Sequence, residues 1–396
     1  MRSTPEAPLR ARVFGAGPSG ALAALALADA GWSVNLFDPL TAEALQARTR
    51  AYAFTHSSRR LLERLNLWHA LAAELVPFQR LRLLDAALGR WVEFDPADLP
   101  AGNRGGQAAV GWIGRHRDLM ALLLARLSSH PAVELDLGAS GLAPGASVLA
   151  STDSERWDLV VAADGPASPV RKALGIGCWG WRYDQSCLTA EVDLRGAAAG
   201  TAWELLRPEG PSALLPLGGE RFQLVWSAPA ARHRHREALA PAAFLDALAG
   251  LLPEPLEADA LHEPARAFPV ALQLARRLSR GRTLLIGESA HRCHPVGGQG
   301  LNLCWRDVAV LHRLAAKAAA GRLDPRRIGP AYGRRRWPDL LLILLSTDLL
   351  VRLFSSRHPL PLALRRPVVA LLAAAAPLRR LTLALMSDGP PDLRRA

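Results

Sequence analysis

Cysteine is scarce: Cys178, Cys187, Cys293 and Cys304 in 396 residues, with no CxxC pair. That leaves no material for a disulfide scaffold or a zinc knot and reads as a reduced, intracellular chain. Lysine is nearly missing, since Lys172 and Lys317 are the only two, so the net charge of +12 is an arginine property. No apolar run reaches the roughly 18 residues that mark a membrane-spanning helix. The N-terminal stretch, residues 1–12, is short, holds two prolines and is not read as a signal peptide. Internal repeats are also lacking, which excludes solenoids and propellers. What is there is apolar residue: half of the chain, enough for one large or two medium domains and too much for disorder.

The basic surplus is uneven. Residues 331–396 hold eleven Arg against four Asp, a net of +7. Nucleic-acid binding would call for basic residues interleaved with aromatics or a known module, and neither is present. The arginines alternate instead with Leu-rich runs, which suits anionic lipid headgroups and sets up an expectation of peripheral membrane contact. The location expected is the cytoplasm, peripherally at the inner face of the membrane.

Residues 12–38 read as a β-α-β unit: a strand closing at Phe14, an Ala/Leu-rich helix over 18–30 stopped at Gly31, and a strand over 33–37 ending at Asp38. Helices are predicted over 57–65 and 117–128, and a buried strand of parallel-sheet type over 159–163. Between 186 and 227 short strands (187–192, 213–217, 222–226) alternate with Gly/Pro turns, the pattern of an antiparallel sheet. A strand over 283–286 and a long helix over 299–320 then complete the nucleotide unit. Beyond 331 the chain reads as amphipathic helix broken at Pro359, Pro361, Pro367 and Pro377. The fold class is α/β: a Rossmann-like dinucleotide-binding domain (1–75, 105–180 and 280–330), an inserted, mainly antiparallel β-sheet substrate domain (76–104 and 181–279), and a helical C-terminal region (331–396).

Three motifs carry chemistry. In Gly15-Ala16-Gly17-Pro18-Ser19-Gly20, Gly15 permits the tight turn, Gly17 admits a pyrophosphate and Gly20 allows close helix–strand packing. Asp38, 18 residues after Gly20, suits ribose hydroxyls. A second strand delivers Asp164 to a turn freed by Gly165, which on its own is also an ordinary Asx turn. The third is the stretch 287–302. Glu288 ends its strand as Asp38 does, Pro295 stiffens the loop, and Gly297, Gly298 and Gly300 let Gln299 and Asn302 present backbone amides to a flat ligand. The helix start behind it offers positive charge to the pyrimidine edge of a reduced flavin. His291 and His294 lie on a Gly/Pro loop without a third ligand, so no metal is assigned.

These motifs, in this order, resemble the FAD-dependent aromatic hydroxylases of the p-hydroxybenzoate hydroxylase class, and within it the ubiquinone-biosynthesis hydroxylases. The resemblance rests on His294-Pro295, Gly298-Gln299-Gly300-Leu301-Asn302-Leu303 and Arg306-Asp307-Val308. Arg117-Asp118-Leu119-Met120, Tyr183-Asp184-Gln185, Val225-Trp226-Ser227 and Ser346-Thr347-Asp348 support it. It implies ADP contacts at Gly15, Gly17, Gly20 and Asp38, and phosphate or ribityl contacts from Arg50 and Arg117. It further implies cofactor contacts at Asp164, Gly165 and Glu288, and a bed for the isoalloxazine from Pro295 through Gly297, Gly298, Gln299, Gly300, Leu301 and Asn302. Glu288 stands where the family has Asp or Asn, and Cys304-Trp305 where it has a small, flexible pair.

The implied reaction is that of a single-component monooxygenase. NADH or NADPH reduces bound FAD, O2 adds at flavin C4a, and the distal oxygen passes to a phenolic ring, here a polyprenylphenol on the way to ubiquinone. The chemistry requires no side-chain nucleophile, so no catalytic residue is assigned. No second glycine-rich nucleotide loop is visible, so the nicotinamide is expected to bind without a domain of its own. Two alternatives stand beside this reading: a tailoring hydroxylase of a soluble aromatic metabolite, and a non-catalytic flavin-bound scaffold in a biosynthetic complex.

Overall fold

The computed structural model describes residues 7–103, 108–138, 157–356 and 358–390. The parts of the sequence-derived domain bounds at 1–6, 104–107, 139–156, 357 and 391–396 lie outside them. The first sheet has the strand order Ser279–Arg280, Thr283–Leu285, Leu159–Ala162, Arg10–Phe14, Ser33–Asp38, Val133–Leu137. All neighbours are parallel except the two-residue edge strand. The strand at 283–285 therefore rejoins, after more than a hundred residues, the sheet begun at residue 10. The helix Pro18–Asp29 is apolar on every side because it is enclosed on every side, with Gly20 to Ala28 all buried. Gly31, at φ 88°, ends it in the left-handed region where glycine costs least. The Trp32 indole N–H then donates to the Ala315 carbonyl at 3.1 Å, tying this unit to the long helix Gln299–Ala319.

The second sheet is built around the 18-residue strand Cys178–Arg195, flanked by Arg221–Pro229 and Arg266–Ala275, both antiparallel to it. Next in order come Gly210–Gly218, Thr201–Arg207, Arg80–Asp85 and Arg90–Phe94. Leu188, Leu205, Leu224, Phe244 and Leu248 fill one face as a second core. The pattern gives no strand over Thr201–Arg207, yet that strand is buried almost throughout and pairs in parallel with Arg80–Asp85. A small third sheet has the order Ala51–Phe54, Gly111–Arg115, Val76–Phe78, with both pairings antiparallel.

Three helices end the described chain: Ile328–Phe354, Pro359–Ala374 and Ala376–Asp388. Pro359 and Pro377 sit in the first two positions of their helices, as expected of breaks. Pro361 and Pro367 do not break anything, which corrects the reading of the sequence. Pro361 falls in the first turn, where no intrahelical N–H bond is required. Pro367 does remove one bond. Its helix is held from outside, because the Arg365 guanidinium donates to the Leu353 and Phe354 carbonyls at 2.9 and 3.2 Å and pairs with buried Asp85 at 3.1 Å.

Candidate active site

One cavity of about 1700 Å³ runs from the Gly15–Gly20 turn, past the 295–301 loop, to the C-terminal helices. At its nucleotide end each glycine has a different reason to be glycine. A Cβ on Gly20 would stand 1.7 Å from the Gly15 carbonyl oxygen, and one on Gly15, at φ 94°, would stand 2.4 Å from the Ala163 oxygen. Those two are required by packing. A Cβ on Gly17 meets nothing within 4 Å and faces the cavity, so that position is open for a ligand. Gly17 also caps the helix Pro18–Asp29, whose first amides lack intrahelical partners and carry the positive end of the dipole.

Asp38 lines the cavity and braces the turn. Its carboxylate accepts from the Ala16 N–H at 2.6 Å and from the Leu40 N–H at 2.9 Å. Asp164 and Gly165 line the cavity opposite. Asp164 also accepts from the Ser168 hydroxyl at 2.6 Å and the Val170 N–H at 3.0 Å, so it braces the start of the short helix Pro169–Ala173, whose N-cap is Ser168; burial pushes its carboxyl up from the ordinary range. Arg50 reaches the cavity wall together with Arg48. Arg117 does not. It is the second residue of the helix His116–Ser129, its side chain is 71% exposed and its nearest charge partner is Asp118. The helix phase turns His116 inward instead, where its ring meets the Tyr52 hydroxyl at 2.9 Å and the Leu45 carbonyl at 2.7 Å.

At the ring end, Glu288, Pro295, Gly297, Gly298, Gly300 and Leu301 line the cavity. Gly297 and Gly298 lie at φ 70° and 62°, a consecutive left-handed pair that side-chain-bearing residues rarely adopt. Gln299 and Asn302 are buried behind this surface. The Gln299 amide nitrogen donates to the Gly297 carbonyl at 3.1 Å. The Asn302 amide donates to the Ala53 and Gly298 carbonyls at 2.7 and 2.9 Å, and its oxygen accepts from the Ser58 hydroxyl at 2.7 Å. Asn302 thus fastens the loop to the strand Ala51–Phe54, and what it offers the cavity is the position of its neighbours. Trp305 is likewise out of the cavity, its ring 5.3 Å from Phe54 and its N–H on the Pro18 carbonyl at 3.3 Å. Cys293 lines the cavity with its thiol pushed up by burial to about 12, which leaves it inert.

Behind the bed is a buried ionic relay. Asp307 accepts from the Gly287 N–H at 2.7 Å, faces the His291 ring at 2.7 Å and pairs with Arg336 at 2.6 Å. Arg336 also pairs with Asp339, which pairs with Arg306 at 2.9 Å. Burial alone would raise the Asp307 carboxyl, but His291 and Arg336 outweigh it and hold it at about 2. His291 is therefore a structural partner, and among the described residues no group of three or more His, Cys, Asp or Glu is gathered as a metal would require.

Glu204 is the residue that the sequence reading missed. It sits on Thr201–Arg207, lines the cavity, is only 8% exposed and accepts from the Gly297 N–H at 3.3 Å. Burial pushes its carboxyl up to about 8, so it carries a proton at neutral pH. The one available signal was an acid in the apolar run Ala202-Trp203-Glu204-Leu205-Leu206. Past Glu204 the wall is apolar, formed by Leu353, Phe354, Val369 and Leu372.

A family model described as an FAD binding domain matches residues 145–338. The chain is 35% identical over 398 aligned residues to a ubiquinone hydroxylase (UbiL) of Rhodospirillum rubrum, covering 93% of this chain and 87% of that protein. It is 30% identical over 379 residues to the 3-demethoxyubiquinol 3-hydroxylase of Escherichia coli, covering 89% and 91%. Among solved structures, the p-nitrophenol 4-monooxygenase PnpA of Pseudomonas putida matches with a TM-score of 0.74 over 95% of this chain and 96% of that one. At 18% identity that likeness speaks for the fold alone.

Proposed function

Because the chain belongs to the FAD-dependent aromatic hydroxylases, the family that includes the ubiquinone-biosynthesis hydroxylases, we propose that it hydroxylates the phenolic ring of a polyprenylated lipid, using NADH or NADPH and O2. The observation that carries this reading is the cavity. Its volume of about 1700 Å³ exceeds the roughly 300–1,000 Å³ that a single small ligand occupies, so a dinucleotide leaves room for a second molecule. Where the cavity meets the C-terminal helices its wall carries Leu349, Leu353, Phe354, Val368, Val369 and Leu372, apolar side chains that suit a prenyl tail.

The residues present fit FAD. Gly17 is open where a pyrophosphate must approach the backbone, Arg48 and Arg50 stand at the adjoining wall, and two left-handed glycines flatten the far loop. Bound FAD, once reduced, supplies the activation of dioxygen. The chain's own part is positioning, dryness and proton handling. The start of the helix Gln299–Ala319 places positive dipole charge at the loop that would bed the ring, favouring an anionic reduced form. Leu353, Phe354 and Leu372 keep water from the reacting carbon. Glu204 accepts from the Gly297 N–H, lines the cavity and holds a proton on its carboxyl, which supports a part for it in proton exchange with a phenol bound there.

The test is turnover. Purified protein should be yellow, and a short-chain prenylphenol should couple NAD(P)H oxidation to a product heavier by one oxygen atom. NAD(P)H oxidation yielding only hydrogen peroxide with every prenylphenol would sink the proposal. Equal efficiency on a water-soluble phenol would move the assignment to a soluble aromatic metabolite.

A further inference from the structure

The surface of the three C-terminal helices is striped. Leu341, Leu345 and Leu349, spaced by four on Ile328–Phe354, are 42%, 60% and 57% exposed. Leu360, Leu364, Val368 and Leu371 on Pro359–Ala374 are 62%, 58%, 60% and 56% exposed. Residues three and four apart share one helix face, so each helix turns a continuous apolar edge to solvent. Among the described residues, the other large apolar side chains this exposed are Leu381 on the last helix, Trp179 and Trp181 beside the helix Ile328–Phe354, and Leu40. Trp179 rests on Trp337 at 6.1 Å and Trp181 lies under the Arg352 guanidinium at 4.9 Å, so both belong to the same surface. Apolar patches of this extent on a folded chain mark an interaction surface.

Two further observations say what covers it. The acids of these helices, Asp339, Asp348 and Asp388, are all buried, whereas Arg334, Arg335, Arg352, Arg366 and Arg380 are exposed. Among the described residues these three helices expose arginines and no carboxylate. The cavity also reaches this surface, because Leu349 and Val368 belong to the stripes and line the cavity wall, with Leu353 and Leu372 further in. A protein partner seated here would cap that opening. Among the described residues no single helix is long and apolar enough to cross a membrane, and the last two helices meet at 97°.

We propose that this face docks on an anionic lipid bilayer, leucines in the acyl boundary and arginines among the headgroups, and that the cavity opens into the membrane between the stripes. The entry role rests on the lipid-phenol function proposed above; the docking does not. In flotation with the full-length, flavin-loaded protein, vesicles containing phosphatidylglycerol bind it and pure phosphatidylcholine vesicles bind it far less. Arg366→Gln with Arg380→Gln lowers partitioning by about 25-fold, roughly fivefold for each charge. Leu345→Glu with Leu364→Glu and Leu371→Glu abolishes flotation while flavin content and thermal midpoint stay as in the parent.

Absence of flotation with both lipids, or flotation unchanged in the leucine variant, overturns the docking whatever the activity. A parent dimer that the leucine variant splits, without flotation, assigns the face to a second copy and also overturns it. Intact flotation without hydroxylation of any prenylphenol refutes the lipid-phenol reading alone. With hydroxylation present, a leucine variant that turns over detergent-dispersed but not vesicle-borne phenol supports the entry; equal loss or equal retention in both overturns it.

Discussion

The two ends of the cavity are made differently. The nucleotide end is mainly backbone: three glycines, a helix start and a carboxylate folded back on its own turn lie within residues 10–40, and Arg48, Arg50, Asp164 and Gly165 complete the wall. The ring end is assembled from side chains that arrive from four distant segments: Glu204 from the second sheet, the loop at 295–301, Ala51–Phe54 through Asn302, and Leu353 to Leu372 from the last helices. A backbone site tolerates almost no change of residue but little change of neighbour, whereas a side-chain site permits substitution and depends on everything that holds its parts together. The nucleotide end is thus suited to a constant ligand and the ring end to a variable one.

The hardest test of this contrast is Gly20→Val. With a Cβ due 1.7 Å from the Gly15 oxygen, the strand–helix turn must open, and overpacking against backbone costs more than the usual 1–3 kcal/mol. The expected protein is colourless or insoluble; a yellow, folded variant would show that the turn is not rigid. Next comes Asp307→Asn, which removes the charge facing Arg336 and leaves one carboxamide oxygen where Arg336 and the Gly287 amide each had an acceptor. Removing one member of such a set costs about 3–5 kcal/mol, read from urea unfolding. A loss below 1 kcal/mol would mean that the ring end does not depend on its foundation.

Glu204→Gln tests the proton at the ring end. Burial raises its pKa from 4.5 to about 8, so the folded chain holds a proton that the unfolded chain releases across that interval. Stability of the parent therefore falls as pH rises through the window, by about 3 kcal/mol near pH 7 relative to pH 4.5. The Gln variant should lack that slope in urea midpoints measured across pH; an identical slope in both proteins assigns the titration elsewhere. Smallest of all is Arg117→Ala. An arginine with its side chain 71% exposed and outside the cavity should change stability by less than about 0.5 kcal/mol and flavin affinity by less than about twofold, by fluorescence titration.

The same contrast decides how much could be read from the sequence. Gly15, Gly17 and Gly20 signal their roles because most of their constraint is local; the flanking helix starts at Pro18 as read and ends one residue early at Asp29, and the strand starts at Arg10, two residues before the expected start of the unit. Asn302 lies in a recognisable loop, but whether its side chain faces the ligand or staples the loop from behind depends on Ser58 and Ala53, some 250 residues away. Arg117 misled because its charge type suits a phosphate while its helix phase, set by the buried His116, turns it to solvent. Glu204 gave almost no signal. Thr201–Arg207 is covered on both faces, so it lacks the alternation that betrays a half-buried strand, and its neighbour Arg80–Asp85 comes from far back in the chain. Pro367 misled for a similar reason, since the contacts that keep its helix continuous belong to Arg365 and another segment.

The Asp307–Arg336 pair has one more implication. It rivets the helix carrying the ring loop to the helix carrying the first leucine stripe, with Asp339 and Arg306 closing a second rivet one turn along. A chain cut before Ile328 would strand a charge in the interior and unmoor the loop at the same time. The last sixth of this protein is accordingly not a detachable appendage that could be exchanged between relatives, and a chimera joined there should inherit its failures from the foundation before it inherits anything from the new surface.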